Sequence, residues 1–500
     1  MGRWSIPESW RWVKAIDIAK IIGGGTPSTK NSANFAEKGI PWITPADLSH
    51  YQNEYISRGM RDLSEEGYNS CGAQLMPKGT VLFTSRAPVG YCAIAANEIC
   101  TNQGFKSLVL RGAINPKYIR HYLLHSKEYA ESLASGSTFK ELSGKRMATL
   151  EFPIPPLNEQ ERVVARIDEL QMQSRRAREV LETIPDLLGQ LRQSILAAAF
   201  TGYLTKEWRK NYRDIEPASE LLKRLRIERR KRWEAAELEK LKAKGLTGDK
   251  LDKAFAKQRK KYKEPVPVDT SDLPELPESW CWSSLSELSS AVKSITYGVL
   301  QPGGEVKGGA RLVRVYDLQD GGIFAGQLRT VNPKVDSEYA RTRLRGGELL
   351  VSVVGTIGRL AIVPPEMAGA NIARAIARVI PLRSINAYWL FNMLSSPFLQ
   401  DWLVRGAREV ARKTLNIAVL EKTPVPLAPP REMQEILNRI ESHTAFETPT
   451  RAAVHEAKRN LAQLDQSILS KAFQGELVSQ DPNDETTSVL IQRSNKEKDR

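Results

Sequence analysis

The sequence predicts an α+β protein of two pseudo-repeated β-rich domains, separated by two long helices that pair as an antiparallel coiled coil. Three observations carry that prediction. The chain is written twice, each copy changes texture once from strand-like to helical, and the helical stretches repeat their apolar residues every seven positions.

The duplication runs the length of the chain. Pro7-Glu8-Ser9-Trp10 recurs as Pro277-Glu278-Ser279-Trp280, and GTVLFTSRAPVGYCAIA (79–95) is echoed by GELLVSVVGTIGRLAIV (347–363), which aligns Gly90 with Gly358. NPKYIRHYLLHS (115–126) matches INAYWLFNMLSS (385–396), and LRQSILAAAFTGYL (191–204) matches LDQSILSKAFQGEL (464–477) at an offset of 273. Ser488-Val489-Leu490-Ile491 resembles Ser219-Glu220-Leu221-Leu222. A unit this long excludes a solenoid and defines a tandem of two modules.

Residues 1–157 hold the β-rich runs IPWIT, TVLFTS and FKSLVL, broken by Gly, Pro and Asn clusters, with one helical stretch at 116–134. They form the first domain. FPIPPLNEQ stops the strands, and Asn158 followed by Glu161 predicts an N-cap with an acid at N3. Residues 158–275 are a helical spacer and a connector. With Ile167 at position a, the a series runs Gln160, Ile167, Ser174, Leu181, Leu188, Ile195, and the d series Val163, Leu170, Ala177, Ile184, Leu191, Ala198. Pro185 predicts a kink, and Gly202 the helix end. Residues 276–430 return to β-rich runs (RLVRVYDL, ELLVSVVG, ARVIPL) with a helical stretch at 386–405. Residues 431–500 return to helix, with Ile436, Ile440, Val454, Ala457, Leu461, Leu464 and Ile468 in register, interruptions at His443, Glu447 and Pro449, and an end at Gly475. Two such helices separated by a globular domain pair most simply with each other, which predicts a dumbbell.

Composition excludes several classes. At 500 residues and 41% apolar the chain fills more than one core. Its four cysteines (Cys71, Cys92, Cys100, Cys281) make no CxxC pair, so neither a disulfide framework nor a zinc site is legible and a reducing, cytoplasmic location is expected. The start lacks a signal-peptide core, and the most apolar stretch, 349–358, is too short to span a membrane. The net charge of +15 divides as +5 over 1–157, −1 over 158–205, +10 over 206–264, −3 over 265–275, +6 over 276–430 and −2 over 431–500. The two β-rich domains are mildly basic, and the largest excess lies in the connector.

No enzyme motif is present. The run Gly23-Gly24-Gly25-Thr26-Pro27-Ser28-Thr29-Lys30 lacks the Gly-Lys-Ser/Thr end of a phosphate loop, and no Asn-Pro-Pro-Tyr or Asp-Pro-Pro-Tyr run of an amino-methyltransferase occurs. His121 and His125 stand at i, i+4, but HYLLH lacks the glutamate of a zinc-protease helix. Glu305-Val306-Lys307 has no acidic partner nearby and reads as a loop.

Two variable domains each followed by a helix ending in QSIL..AF.G.L resemble the specificity subunit of type I restriction-modification systems. GGGTPS, PWITPADL, GSTFKELS and PIPPLNEQ in the first module carry the same likeness, as do ARKTLN, PVPLAPP and GELVSQDPNDETTSVL in the second. The resemblance covers essentially the whole chain. It implies that each domain is a target-recognition domain for one half of a bipartite, asymmetric duplex-DNA site and that the helices set the spacer. Two modification subunits, which carry S-adenosylmethionine, would dock on the helices. Restriction subunits would add ATP- and Mg-dependent translocation and cleavage, and this chain would itself bind no cofactor or metal and catalyse nothing. The alternatives are a stand-alone DNA-binding regulator and a self-contained nuclease or methyltransferase, and the sequence offers no site for the latter.

DNA is read by donors and acceptors on loops and held by basic, hydroxyl and backbone groups at phosphates. In the first domain the candidates are Gly24, Thr26, Ser28, Thr29 and Lys30, then Arg86, Asn102, Gln103 and Lys106, then Ser137, Thr138 and Lys140. In the second they are Tyr297, Gln301, Arg314, Tyr316, Asn371, Arg374, Arg412, Lys413, Thr414 and Asn416.

Overall fold

The computed structural model describes residues 4–86, 88–135, 140–212, 214–292, 295–319, 321–326, 328–407 and 413–498. Its helices include α1 (Leu157–Phe200), α2 (Ala218–Ala243), α3 (Gly248–Arg259), α4 (Pro430–Thr444), α5 (Glu447–Gln474) and α6 (Thr487–Lys498). The chain forms two compact units, Met1–Thr183 with Ala452–Arg500, and Ile184–Arg451. Both boundaries fall inside helices, in α1 and in α5.

In unit 1 a five-stranded sheet runs in the order Ala19–Gly23, Lys106–Leu110, Val81–Ser85, Val89–Ala95, Tyr55–Ile56. A four-stranded sheet orders Phe35–Ala36, Arg61–Leu63, Ile40–Ile43 and Cys100–Thr101. Arg11–Lys14 pairs antiparallel with Glu151–Ile154, so the strand that enters the domain lies beside the one that leaves it. Every residue of VLFTS is buried, as a central strand requires. Phe83, Leu108, Tyr118, Tyr122, Phe152, Val163 and Ile167 share one core with Ile468, Ala472 and Phe473 of α5.

Unit 2 repeats the plan with shorter strands. Thr296–Tyr297, Ile376–Val379, Leu349–Ser352 and Leu360–Ile362 form one sheet, and Arg329–Val331, Ala310–Val313 and Asn371–Ile372 another. Cys281–Ser284 pairs with Pro424–Leu427. The core gathers Trp280, Val351, Trp389, Val425 and Ile436 with Leu196 and Phe200 of α1 and Leu221 and Leu225 of α2.

Each unit therefore combines a β-rich domain, the start of the helix that follows it, and the end of the helix belonging to the other module. Gly475 (φ +78°) and Gly202 (φ +72°) end their helices in the left-handed region, and a Cβ would meet Pro7 at 2.4 Å in the first case and Pro277 at 2.7 Å in the second. Leu490 is buried in unit 1 as Leu221 and Leu222 are in unit 2, which gives the short SVL and ELL resemblance a packing reason.

Within unit 1 α1 and α5 run antiparallel, because Arg178 pairs with Asp465 while Leu170, earlier in α1, shares a cavity with Ile468 and Lys471, later in α5. Within unit 2 Arg192 pairs with Glu447 at 3.4 Å and Arg439 donates to the Leu204 carbonyl at 2.8 Å. Five of the six a positions (Gln160, Ile167, Ser174, Leu188, Ile195) are buried, whereas Leu191 at d is exposed. α1 begins earlier than the Asn158 cap predicts. Gln160 N–H bonds the Pro156 carbonyl, and the Asn158 amide is turned instead to Asp484 at 3.2 Å. Helix continues through Pro185. The second helical stretch breaks at 445–446, with Pro449 inside the first turn of α5, where a missing N–H costs nothing.

Candidate nucleic-acid interface

In the first domain the GGGTPS loop is stitched to the segment 101–106. A Cβ on Gly24 would stand 2.1 Å from the carbonyl oxygens of Thr101 and Asn102, so only glycine permits this approach. Gly25 N–H donates to the Thr101 carbonyl at 2.9 Å, and the Trp42 indole donates to the Gly25 carbonyl at 3.0 Å. The Thr26 hydroxyl reaches the Gln103 side-chain carbonyl. Ser85 N–H bonds the Gly104 carbonyl at 2.7 Å and Leu142 N–H bonds the Ser85 carbonyl at 2.9 Å, which brings Arg86 and the 140–142 segment to the same place. Glu141 then lies 3.7 Å from Arg86 and 3.6 Å from Lys106.

The structure thus gathers Gly24, Thr26, Arg86, Asn102, Gln103 and Lys106 into one loop cluster, with exposed Ser28, Thr29 and Lys30 extending from one side and exposed Lys140 from the other. Ser137 and Thr138 lie outside the described residues. GGGTPSTK runs into a short 3-10 turn, Ser32–Asn34, and not into the helix that a phosphate loop opens.

The second domain repeats the scaffold with other side chains. A Cβ on Gly298 would stand 1.8 Å from the Ile372 carbonyl, and Val299 N–H donates to that same carbonyl at 2.7 Å. Gly355 N–H bonds the Lys413 carbonyl at 2.9 Å, and Val354 bridges Thr414, which seats the 413–416 segment beside the sheet. Gln301, Tyr316 (71% exposed), Arg374 and Lys413 are open to solvent. Arg412 lies outside the described residues.

Two expected contacts, Asn371 and Tyr297, are spent inside this domain, and two more, Asn416 and Arg314, are partly engaged while still reaching solvent. Asn371 is fully buried, accepting from Thr342 Oγ1 at 2.6 Å and donating to Asp336 at 3.0 Å, so it fixes the loop and does not face solvent. The Tyr297 hydroxyl donates to the Leu415 carbonyl and accepts from Ile417 N–H. Asn416 caps the short helix Ile417–Glu421 by accepting from Ala418 N–H at 3.2 Å. Arg314 makes a forked pair with Asp317 at 3.0 and 3.1 Å, which raises its pKa.

That last pair exposes a repeat not apparent by eye in the sequence. Asp47 closes the turn 44–48 by accepting from Thr44 N–H at 2.7 Å, as Asp317 closes 314–318 by accepting from Arg314 N–H at 2.8 Å. ITPADL and VRVYDL are therefore the same element, with Ile43, Leu48, Val313 and Leu318 buried in both copies. Beside these turns two large apolar side chains face solvent, Met60 at 90% and Phe324 at 56% exposure, held by backbone bonds to Asp47 Oδ1 and to the Asp317 carbonyl. Periodicity flagged neither of them.

The remaining titratable clusters are structural. His121 faces Asp168 at 3.3 Å, while His125 lies against the Phe473 ring, so the two histidines do not converge. Glu54, His121 and Asp168 come together, but Lys117 joins them at 2.7 Å from Glu54 and 2.9 Å from Asp168, filling with an ammonium group the place a cation would take. Burial pushes the thiols of Cys92 and Cys100 up to about 12 and that of Cys281 up to about 11, which keeps all three protonated at neutral pH. No helix among the described residues is long and apolar enough to cross a membrane.

Two loop clusters on a duplicated scaffold, mounted on long helices, define a double recognition module. The model of the type I restriction modification DNA specificity domain matches residues 7–184. The EcoBI specificity subunit of Escherichia coli is 31% identical over 483 residues, covering 96% of this chain and 88% of the relative. The MjaIX specificity subunit of Methanocaldococcus jannaschii is 41% identical over 185 residues, 36% of this chain and 42% of the relative. A solved chain from a type I restriction-modification assembly shares the fold, with a TM-score of 0.60 at 17% identity, covering 95% of this chain and all of that one. The specificity subunit from Thermoanaerobacter tengcongensis does so at 0.52 and 18% identity, covering 95% and 99%. The chain belongs to the specificity subunits of type I restriction-modification systems.

Proposed function

We propose that each β-rich domain reads one half of a bipartite, asymmetric duplex-DNA site from its loop cluster, and that the paired helices set the spacer and dock two modification subunits. The chain supplies no catalysis. Methyl transfer from S-adenosylmethionine belongs to the modification subunits, and ATP- and Mg-dependent cleavage to restriction subunits, all acting in the cytoplasm.

The observation that carries this reading is the duplicated close approach, Gly24 on 101–102 and Gly298 on Ile372, which fixes equivalent loops while the side chains on them differ. A two-fold homodimer reads a palindrome, whereas equivalent scaffolds with different side chains on one chain suit two unrelated half-sites. Methylation mapping in cells carrying the whole system tests it. Replacing Thr26, Gln103 and Lys140 together should change one half-site and leave the other and the spacer intact. A change in both halves, or a palindromic site, overturns the proposal.

A further inference from the structure

Helix α3 contributes no residue to any core, yet one of its sides is firmly placed. Gln258 donates to Glu237 of α2 at 2.8 Å and Arg259 to Glu234 at 3.0 Å, with Leu251, Ala254 and Phe255 half-buried. Away from that face stand Lys250, Lys253, Lys257 and Lys260, all exposed. At 3.6 residues per turn they fall within about 80° of the helix circumference and span about 15 Å.

The basic residues of α2 are largely consumed by acids: Arg226 by Glu287, Arg230 by Glu234, Arg232 by Glu228, Lys240 by Glu237. The ammonium groups of Lys250, Lys253 and Lys257, and of Lys260 at the C-terminal cap of α3, make no ion pair or hydrogen bond among the described residues, although Asp249 and Asp252 sit on the same helix. Like charges at i, i+3 and i, i+4 destabilise a helix, so such a row is unfavourable unless something meets it. The Arg259–Glu234 pair also sets the end of α3 beside the turn of α2 that carries Arg232. Arg232 lines an open cavity of about 710 Å³ with Arg345 and Arg383. Neither of those two guanidinium groups makes a salt bridge among the described residues, although the Arg345 backbone N–H donates to the Glu348 carboxylate at 2.8 Å.

We infer that the lysine row of α3 binds the phosphate backbone of duplex DNA irrespective of sequence, adding affinity that the half-site loops do not supply. Four lysines on one helix side, rising about 5 Å from one to the next, suit a polyanion of dense, regular charge better than the mixed surface of a protein. The inference rests on the proposed DNA reading, and the two fail separately.

The test is Lys250→Gln/Lys253→Gln/Lys257→Gln/Lys260→Gln in the full chain, assembled with its modification subunits. Binding to long duplexes with and without the methylated site is titrated against salt. The slope of log affinity against log salt should become shallower by about 3 to 4 on both duplexes, while the methylated sequence stays the same. An unchanged slope overturns the inference, and loss of the modification subunits with an unchanged slope makes the row a protein-docking surface instead. If the unaltered complex shows no site preference, the half-site reading fails while the slope comparison still judges the lysines.

Discussion

Trp280 donates its indole N–H to the carboxylate of Glu432 at 2.9 Å, and Glu432 is completely shielded from solvent. Thr205 Oγ1 donates to the same carboxylate at 2.7 Å and Arg209 pairs with it. One buried anion thus ties the PESW segment and the start of α4 to the turn after α1. In unit 1 Glu159, 273 positions earlier, accepts from Gln480 at 2.6 Å. Glu432→Ala leaves an arginine and an indole unpaired, which costs about 3–5 kcal/mol. Calorimetry should show the unit 2 transition falling by several degrees with unit 1 unmoved, and an unchanged scan excludes the role.

Gly24→Ala and Gly298→Ala each drive a methyl group into a backbone carbonyl that has no rotamer to escape through. Each should lower cognate affinity at least tenfold and degrade one half of the methylated motif, a different half in each variant. Methylation mapping of both reads this directly.

Glu141 holds Arg86 and Lys106 in check. Glu141→Gln should tighten binding to every duplex and steepen its salt slope by about one, whereas Lys140→Ala should make the slope shallower by about one. Equal slopes in the three proteins remove these residues from the phosphate contacts.

Seven residues added to α1 after Thr183, with a matching seven in α5 after Arg451, lengthen each helix by about 10.5 Å. At about 3.4 Å per base step the spacer should grow by about three base pairs with both half-sites unchanged. A retained spacer in mapped methylation sites rules out the helices as the ruler.

Asp168 titrates low, at about 2: burial works to raise it, but hydrogen bonds and charge from His121 and Lys117 outweigh burial. A depressed carboxyl stabilises the fold above its unfolded pKa, about 3.9, and loses that contribution as pH falls toward 2. Wild type should exceed Asp168→Asn in unfolding free energy at pH 6, by about 1 kcal/mol once solvent screening is allowed for. The gap should shrink steadily as pH falls from 4 toward 2, and one still undiminished at pH 2.5 removes charge as its cause.

The two-module plan was legible because it is written in covalent repetition, and the helices because their apolar residues come in sevens. The site was legible only in part. Glycine runs and basic loops pointed to Gly24, Arg86 and Lys106, but nothing local to Asn371 or Tyr297 tells that tertiary neighbours absorb their polar atoms. The repeat of Thr44–Asp47 in Arg314–Asp317 stayed hidden because one hydrogen-bonding geometry is served by unlike residues at the first position. Exposure of Met60 and Phe324 depends on where a turn points, which hydropathy does not encode.

Phe473 packs its ring against Tyr118 and Tyr122, with ring centroids 5.5 and 5.1 Å apart, across about 350 residues of chain. Translation at about 5–20 residues per second leaves about 15–60 s between completing Thr183 and reaching Phe473. During that interval the residues of unit 2 are made without interruption, while the earlier half waits with its aromatic cleft unfilled. The half of the protein that is synthesised first is the half whose core closes last.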